Sequence, residues 1–208
     1  MKTLLIFVAA VIFVSAETYA QMQPLPIKNV TDGIYCRFSP DCHVAPVTGS
    51  SSFTPTNLAV TCVLESRSFA GSGMDSKGTY GYEYRLVLNN DGEKGTNFFT
   101  VDSLAINFDN PQTFAFGNHA GNRAWVLTDE STNCIAPASL NFSGTNIVVQ
   151  FVPPLVLATL TNKTVSTCFF GLISTNSPQL TKAIITGSTQ TPPDAPAPFE
   201  EEMDARTP

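Results

Sequence analysis

The 208-residue sequence is poor in charged residues and in histidine. Charged side chains make up 13% of the chain, which has 2 His, 1 Trp and 11 Lys and Arg residues against 17 Asp and Glu residues. Low charge argues against a helical bundle or a coiled coil, because both need long segments rich in Glu, Lys and Leu. The net charge of -6 argues against nucleic acid as a partner, because binding to phosphate groups needs a basic surface.

Sequence motifs of metal-dependent and nucleophilic enzymes are missing too. The chain contains no H-E-x-x-H, C-x-x-C or G-x-S-x-G motif. Cys42 and His43 are neighbours, but adjacent residues of a strand point to opposite faces, so they do not predict a catalytic dyad. We therefore expect no catalytic residues, no cofactor and no metal ligands. A hydrolase that uses Glu83 with Asp102 or Asp109 remains an alternative, because spacing alone does not exclude a carboxylate pair.

Long apolar runs are confined to the N-terminus. Residues 1–20 have the features of a cleaved secretory signal: Lys2 gives a positive start, Leu4 to Val14 is an unbroken apolar run of 11 residues, and small residues follow. The run is too short to span a bilayer. We expect cleavage after Ala20, which leaves a secreted chain with no membrane span.

The mature chain divides into three parts by composition. Residues 21–32 contain prolines and suit an extended N-terminal segment, residues 33–190 carry the pattern of one β domain, and residues 191–208 are rich in proline and acidic residues. The last part has little apolar material to bury. We therefore expect a disordered or extended tail, either a solvated spacer or an acidic segment for docking or for binding cations.

Within residues 33–190, apolar runs alternate with turn residues, as in an all-β sandwich. The clearest strand is Thr79 to Asn89, in which alternate residues share a face, and the turn after it predicts a hairpin with Phe99 to Phe108. Pro153 and Pro154 are expected to end a strand. We predict a single antiparallel β-sandwich, immunoglobulin-like or jelly-roll-like, of about eight strands. The other predicted strands are Gly33 to Phe38, Leu58 to Glu65, Ala124 to Thr128, Asn146 to Val152, Val165 to Ile173 and Lys182 to Thr186.

Three tyrosines, Tyr80, Tyr82 and Tyr84, fall on one face of the clearest strand. An exposed row of rings can stack against sugars, whereas a buried row forms half of a sandwich core with its hydroxyls at the rim. The carbohydrate-binding interpretation therefore depends on whether the row is exposed.

The five cysteines indicate disulfide bonds, because a secreted domain folds in an oxidising compartment. Cys36 and Cys42 are close enough in sequence for a local bridge. Cys62 or Cys168 can pair with Cys134 across the sandwich, or either can be a buried free thiol. The odd number leaves at least one cysteine unpaired within the chain.

Three N-glycosylation sequons begin at Asn29, Asn141 and Asn162. They lie in predicted turns or strand ends, where an attached sugar can reach solvent. We expect at least one of them to be used if the source is eukaryotic.

Two groups of motifs between residues 79 and 187 carry a family resemblance. Residues 80–89 read Y-G-Y-E-Y-R-L-V-L-N, and residues 101–108 read V-D-S-L-A-I-N-F. The later group consists of V-Q-F at 149–151, Pro153 with Pro154, S-T-C-F-F-G-L-I-S at 166–174 and Pro178. Together they resemble secreted bacterial β-sandwich domains of exosortase-sorted surface proteins. The resemblance implies an extracellular surface or matrix protein with no catalytic residues to carry over. The C-terminus lacks the Pro-Glu-Pro motif, apolar helix and basic end of such substrates, so we expect release or assembly outside the cell.

These features predict a secreted, non-enzymatic structural protein of the extracellular matrix or cell surface. We expect it to self-associate, as a filament subunit, or to bind other matrix components. The segment Gln21 to Val30 is apolar enough to dock on a neighbour as an added strand, although Pro24 and Pro26 limit the ladder it can form. The alternative is a carbohydrate-binding or adhesive module whose glycan partner stacks on the tyrosine row.

Overall fold

The computed structural model shows an all-β sandwich, as the sequence predicts. It describes residues 23–30, 34–38, 46–56, 58–72, 76–92, 96–109, 111–116, 119–128, 134–161 and 163–208. The predicted signal segment, residues 1–20, lies outside the described residues, as do Cys42, His43 and Asn162.

The described residues form fifteen strands and one short helix, α1, at Tyr35–Phe38. In chain order, the strands are β1 (Gln23–Pro24), β2 (Ile27–Val30), β3 (Gly49–Phe53), β4 (Val60–Ala70), β5 (Tyr80–Asn90), β6 (Phe98–Asn107), β7 (Phe114–Phe116), β8 (His119–Asn122), β9 (Ala124–Leu127), β10 (Ser139–Ser143), β11 (Asn146–Ala158), β12 (Thr164–Ser166), β13 (Phe170–Ser174), β14 (Gln179–Gln190) and β15 (Ala197–Thr207).

Two sheets face each other across the main core. Sheet 1 has the order β1-β10-β11-β6-β14-β15, and sheet 2 has the order β2-β9-β13-β5-β4-β3, with β12 also paired to β5. Strands β7 and β8 form a separate small sheet. Most pairs are antiparallel, but β2 runs parallel to β9. The two sheets therefore bury a shared apolar layer between them.

Alternation along the strands explains which side chains form that layer. On β5, Tyr82, Tyr84 and Leu86 are fully buried in the core between the sheets. On β6, Leu104 and Ile106 do the same from sheet 1. Because side chains alternate along a strand, every second residue of β5 from Tyr82 to Leu88 contributes to this core.

The predicted hairpin between β5 and β6 is wrong. Strand β5 pairs with β4, β12 and β13 in sheet 2, whereas β6 pairs with β11 and β14 in sheet 1. The turn after β5 therefore carries the chain from one sheet to the other. Alternation reveals which side chains face the core, but two strands that face each other across a core have the same pattern as two hydrogen-bonded neighbours.

Two shorter predictions also differ from the structure. The run at residues 33–38 was expected to be a strand, but its described part ends in helix α1, because a short apolar run has no period that separates helix from strand. Pro153 and Pro154 interrupt β11 without ending it. The ladder with β6 shifts register between Gln150 and Leu155 and then resumes, since prolines are tolerated at a bulge.

The tail was expected to be disordered, and this prediction is wrong for residues 197–207. They form β15, which pairs with β14 over eleven consecutive Cα partners from Gln179↔Thr207 to Thr189↔Ala197. Met203 and Ala205 are buried in the main core, while Glu200 and Glu202 are exposed. The prediction was wrong because the high content of acidic residues suggested disorder, whereas these residues alternate with buried apolar ones along the strand.

The terminal strands close the two sides of the sandwich. On one side, residues 23–30 pair with β10 of sheet 1 and then with β9 of sheet 2. On the other side, the Asp204 amide of β15 donates to Ser51 Oγ on β3 at 3.1 Å. The predicted N-terminal segment is thus extended, but it belongs to both sheets.

Candidate functional site

A buried cluster of polar side chains surrounds Glu83 on the outer side of sheet 2. Glu83 is fully buried, and its carboxylate accepts hydrogen bonds from the Tyr35 hydroxyl and from Trp125 Nε1, both at 2.9 Å. Arg67, its cross-strand partner on β4, places Nη1 3.6 Å from Glu83 Oε2 and donates to the Tyr35 hydroxyl at 3.0 Å. The cluster therefore joins helix α1, β4, β5 and β9.

A second apolar cluster covers these polar groups. The Arg67 guanidinium lies 3.6 Å from the centre of the Phe169 ring, a cation–π geometry. Gly171 leaves space for the indole ring, because a Cβ atom there would lie 2.3 Å from Trp125. The buried members of this second cluster are Ile34, Tyr35, Phe38, Phe114, Trp125, Leu127, Phe169 and Ile173. Through the hydrogen bonds of Tyr35, the Glu83 cluster thus holds helix α1 against the outer side of sheet 2.

The structure does not assemble the predicted carboxylate pair. Glu83 lies under apolar side chains on the outer side of sheet 2, whereas Asp102 is exposed on β6 of sheet 1. Asp109 is also exposed, and its Oδ2 accepts a hydrogen bond from Asn176 Nδ2 at 3.2 Å. The contacts of Glu83 suit a structural role in packing, and this buried carboxylate does not share a site with the two exposed ones.

The tyrosine row is not an exposed sugar platform. Tyr82 and Tyr84 are fully buried, and their hydroxyls donate to the backbone oxygens of Asn176 at 2.6 Å and Arg206 at 2.7 Å. Burial raises the pKa of both phenols. Tyr80 is only partly buried, at the end of the strand. The row is therefore half of the core, and the stacking face of three rings predicted as an alternative is wrong.

The cysteines divide into bridged and free residues. Cys134 and Cys168 form a disulfide, one of the pairings left open by the sequence. Cys36 is also disulfide-bonded, while its predicted partner Cys42 lies outside the described residues. Cys62 is free and buried, and burial raises the pKa of its thiol to about 12. A thiol with so high a pKa stays protonated at neutral pH and is a poor nucleophile.

The two described sequons lie within strands. Asn29 on β2 is exposed, which suits an attached sugar. Asn141 on β10 is half-buried, and its Nδ2 donates to Ser139 Oγ at 3.0 Å. Asn29 therefore offers the more accessible position of the two.

The described part of the chain contains neither a metal cluster nor a membrane-spanning helix. Among these residues, no three His, Cys, Asp or Glu side chains are placed to hold a metal ion. Over the same residues, no helix combines the length and the apolar character of a membrane span.

The candidate assembly site is the N-terminal segment, residues 23–30. Leu25 is inserted into the main core with 5% of its surface exposed, and its amide donates to the Leu140 oxygen at 2.9 Å. Beyond it, the Pro26 oxygen accepts from the amide of Ala124 at 3.3 Å, and Ile27 to Val30 run parallel to β9. The segment thus fills the gap between the two sheets with one apolar side chain and two short ladders.

No protein-family model, curated protein sequence or solved structure matches this chain. Functional inference therefore depends on the geometry of the molecule itself.

Sequence reasoning missed the Glu83 cluster because its members are far apart in the chain. Its alternation with Tyr82 and Tyr84 places Glu83 on the outer face of β5, but an outer face usually contacts water. The sequence has more large aromatic residues than the core between two sheets needs, and this surplus indicates a second apolar cluster. Phe38, Trp125 and Phe169 are examples. Those residues form the second apolar cluster.

Proposed function

We propose that this protein is a secreted, non-enzymatic structural subunit of an extracellular matrix or cell surface. Its copies self-associate by exchanging residues 23–30, so that the segment of one copy closes the sandwich of the next. The observation that carries the proposal is the position of this segment, which pairs with an edge of each sheet and inserts Leu25 between them. The resemblance of residues 79–187 to domains of bacterial surface proteins supports an extracellular location.

Exchange of the segment between copies preserves every contact that it makes. The Leu25 side chain contributes about 2 kcal/mol by burial, and each hydrogen bond contributes about 1 kcal/mol. The same contacts form whether the segment belongs to the same copy or to a neighbour, so exchange between identical copies has a low cost. Pro24 and Pro26 favour extended backbone, which reduces the entropy lost when the segment docks.

The remaining surface features agree with this role. Asn29 is exposed on the outer strand β2, and we propose that it carries a sugar where the host glycosylates such sites. The disulfide between Cys134 and Cys168 suits an oxidising compartment. Both features belong to a durable extracellular protein.

The test is a covalent trap across the β2–β9 ladder. Ile27 and Ala124 are Cα partners, and both contact the main core, so the double variant Ile27→Cys, Ala124→Cys places two thiols side by side. In assembled material, exchange predicts a ladder of disulfide-linked multimers on a non-reducing gel. The single variant Ile27→Cys is the matched control and should give no ladder. The native Cys62 does not interfere, because its buried thiol remains protonated near neutral pH.

Two outcomes would contradict the proposal at different levels. In the first, electron micrographs show regular assemblies, but the double variant runs as a monomer on the non-reducing gel. Each copy then carries its engineered disulfide within its own chain. That result would refute exchange but leave assembly standing. The second is a protein that stays monomeric by light scattering at all concentrations, which would refute the self-association itself.

A further inference from the structure

A shallow, open cleft lined by uncharged side chains lies at one end of the sandwich. Its volume is about 520 Å³, and it is lined by Tyr80 of β5, by the turn after β13 and by the start of β14. The lining residues are Tyr80, Thr175, Asn176, Ser177, Gln179 and Pro208, none of which has a charged side chain. Most of the lining residues are exposed, so the cleft suits a ligand bound at the surface rather than one enclosed by the protein.

Hydrogen bonds hold the turn that forms one wall of the cleft. The buried Tyr82 hydroxyl donates to the Asn176 oxygen at 2.6 Å, and the Asn176 amide donates to Ser174 Oγ at 3.1 Å. The Asn176 side chain donates from Nδ2 to Asp109 at 3.2 Å. The wall is therefore positioned before any ligand arrives, which lowers the entropy cost of binding.

The same bonds leave acceptor atoms for a ligand. Asn176 uses Nδ2, and Gln179 uses Nε2 to donate to the Pro208 oxygen at 2.6 Å. The side-chain oxygens of both amides, Asn176 Oδ1 and Gln179 Oε1, can then accept hydrogen bonds. Thr175 and Ser177 add hydroxyl groups, which both donate and accept.

Tyr80 adds an apolar surface to this polar set. The ring packs partly against the main core and also lines the cleft, so it is held in place while part of it remains accessible. A ligand that matches the cleft needs several neutral hydroxyl groups and an apolar C–H face for the ring. Sugars combine these two properties. The side chains that line the cleft include no cation to pair with an acidic sugar, so neutral sugars are favoured.

We infer that this cleft binds a neutral carbohydrate, with Tyr80 as the single stacking ring and Asn176 and Gln179 as the hydrogen-bonding side chains. This site differs from a row of three exposed tyrosines, because Tyr82 acts from the core by holding the turn. The inference is independent of segment exchange, since none of the cleft residues belongs to residues 23–30.

The experiment measures binding of neutral disaccharides by titration calorimetry, with cellobiose, maltose and diacetylchitobiose as probes and glucuronic acid as a charged comparison. We expect at least one neutral probe to bind and glucuronic acid to bind more weakly. Gln179→Ala and Tyr80→Ala should each weaken binding about tenfold, because each removes a hydrogen bond or the stacking surface. Tyr80→Phe should retain most of the affinity, because it keeps the ring.

The matched control is Leu180→Ala, next to Gln179 on the same strand. Leu180 is exposed and does not line the cleft, so this variant should bind like the wild-type protein. Thermal unfolding of each variant checks that the domain is intact. Absence of binding by all three neutral probes, or binding that Tyr80→Ala and Gln179→Ala leave unchanged, would overturn the inference.

Discussion

Glu83 shows how a single buried carboxylate can hold polar groups within an apolar cluster on the outer side of a sheet. Its neighbours on β5, Tyr82 and Tyr84, point into the main core, while Glu83 points to the outer side of the sheet. There it accepts from Tyr35 and Trp125, so one charged group satisfies the polar atoms of two large aromatic residues. Buried polar atoms need such partners, since leaving one unsatisfied costs about 1–3 kcal/mol.

Glu83→Gln should strongly destabilise the domain, because Arg67 then keeps its buried positive charge without the carboxylate. Breaking a buried ion pair from one side typically costs about 3–5 kcal/mol. The free energy of unfolding can be measured by urea titration with the fluorescence of Trp125, the one tryptophan of the sequence.

The matched control for that variant is Glu65→Gln. Glu65 pairs with Arg85 at 2.6 Å, but both side chains retain about a quarter of their exposure, at 21% and 26%. We expect a loss of about 1 kcal/mol or less for this more hydrated pair. Equal losses for the two variants would show that burial of the Glu83 cluster adds nothing to the free energy of unfolding beyond what an exposed ion pair contributes.

Cys62 makes a separate prediction about alkaline pH. Its pKa is about 12 in the folded protein against an ordinary 9.0, because burial disfavours the thiolate. Between these values the unfolded thiol loses its proton while the folded thiol keeps it, so the free energy of unfolding falls as the pH rises, by about 1.4 kcal/mol per unit. Below pH 9 this contribution is fully present.

Comparison of the wild-type protein with Cys62→Val isolates this effect. Valine fills a similar volume and does not ionise, so the free energy of unfolding of this variant should fall less between about pH 9 and about pH 11. The buried phenols of Tyr82 and Tyr84 contribute above pH 10 in both proteins and cancel in the difference. Parallel pH profiles for the two proteins would mean that Cys62 is not buried as described.

At the level of elements, β15 is the strand whose amino-acid composition least suggests a strand. Four of its eleven residues are acidic and one is proline, and both residue types are typical of disordered segments. Yet every second residue from Met203 onward is buried, and β14 supplies the whole backbone ladder. Prolines limit a strand only where a donor is needed, and Pro198 lies near the start of β15.

Met203→Ala and Glu202→Ala test whether β15 is part of the folded domain. Met203 is 1% exposed in the main core, so its truncation should lower the free energy of unfolding by about 2–5 kcal/mol. Glu202 is exposed, and substitutions of surface residues usually change stability by no more than about 0.5 kcal/mol. Urea titration of both variants provides the measurement. Two equally small effects would mean that residues 197–207 are not part of the folded domain.

At the level of the whole molecule, the sequence predicts which side chains face the core better than it predicts which strands are hydrogen-bonded to each other. The alternation on β5 and on β6 correctly assigns Tyr84 and Leu104 to the core, and it identifies a two-sheet all-β fold. It does not reveal that β5 and β6 belong to different sheets, because hydrogen-bonded neighbours are chosen by packing across the whole domain.

The candidate sites were harder to predict for the same reason. The end cleft combines Tyr80 with Gln179, and the Glu83 cluster combines residues from 35 to 125. Such combinations exist only after the strands have been ordered. The cysteines form an intermediate case: Cys134 and Cys168 were named as candidates, but only the fold chooses between the possible pairings.

Closure of the sandwich by its first and last strands affects when the domain can fold during synthesis. The residues 23–30 are made early, but their partners on β9 and β10 follow about a hundred residues later, so their pairing waits for most of the chain. Strand β15 emerges from the ribosome after all the other strands, and it brings core side chains with it. The side of the sandwich that β15 covers therefore stays open until translation reaches residue 207.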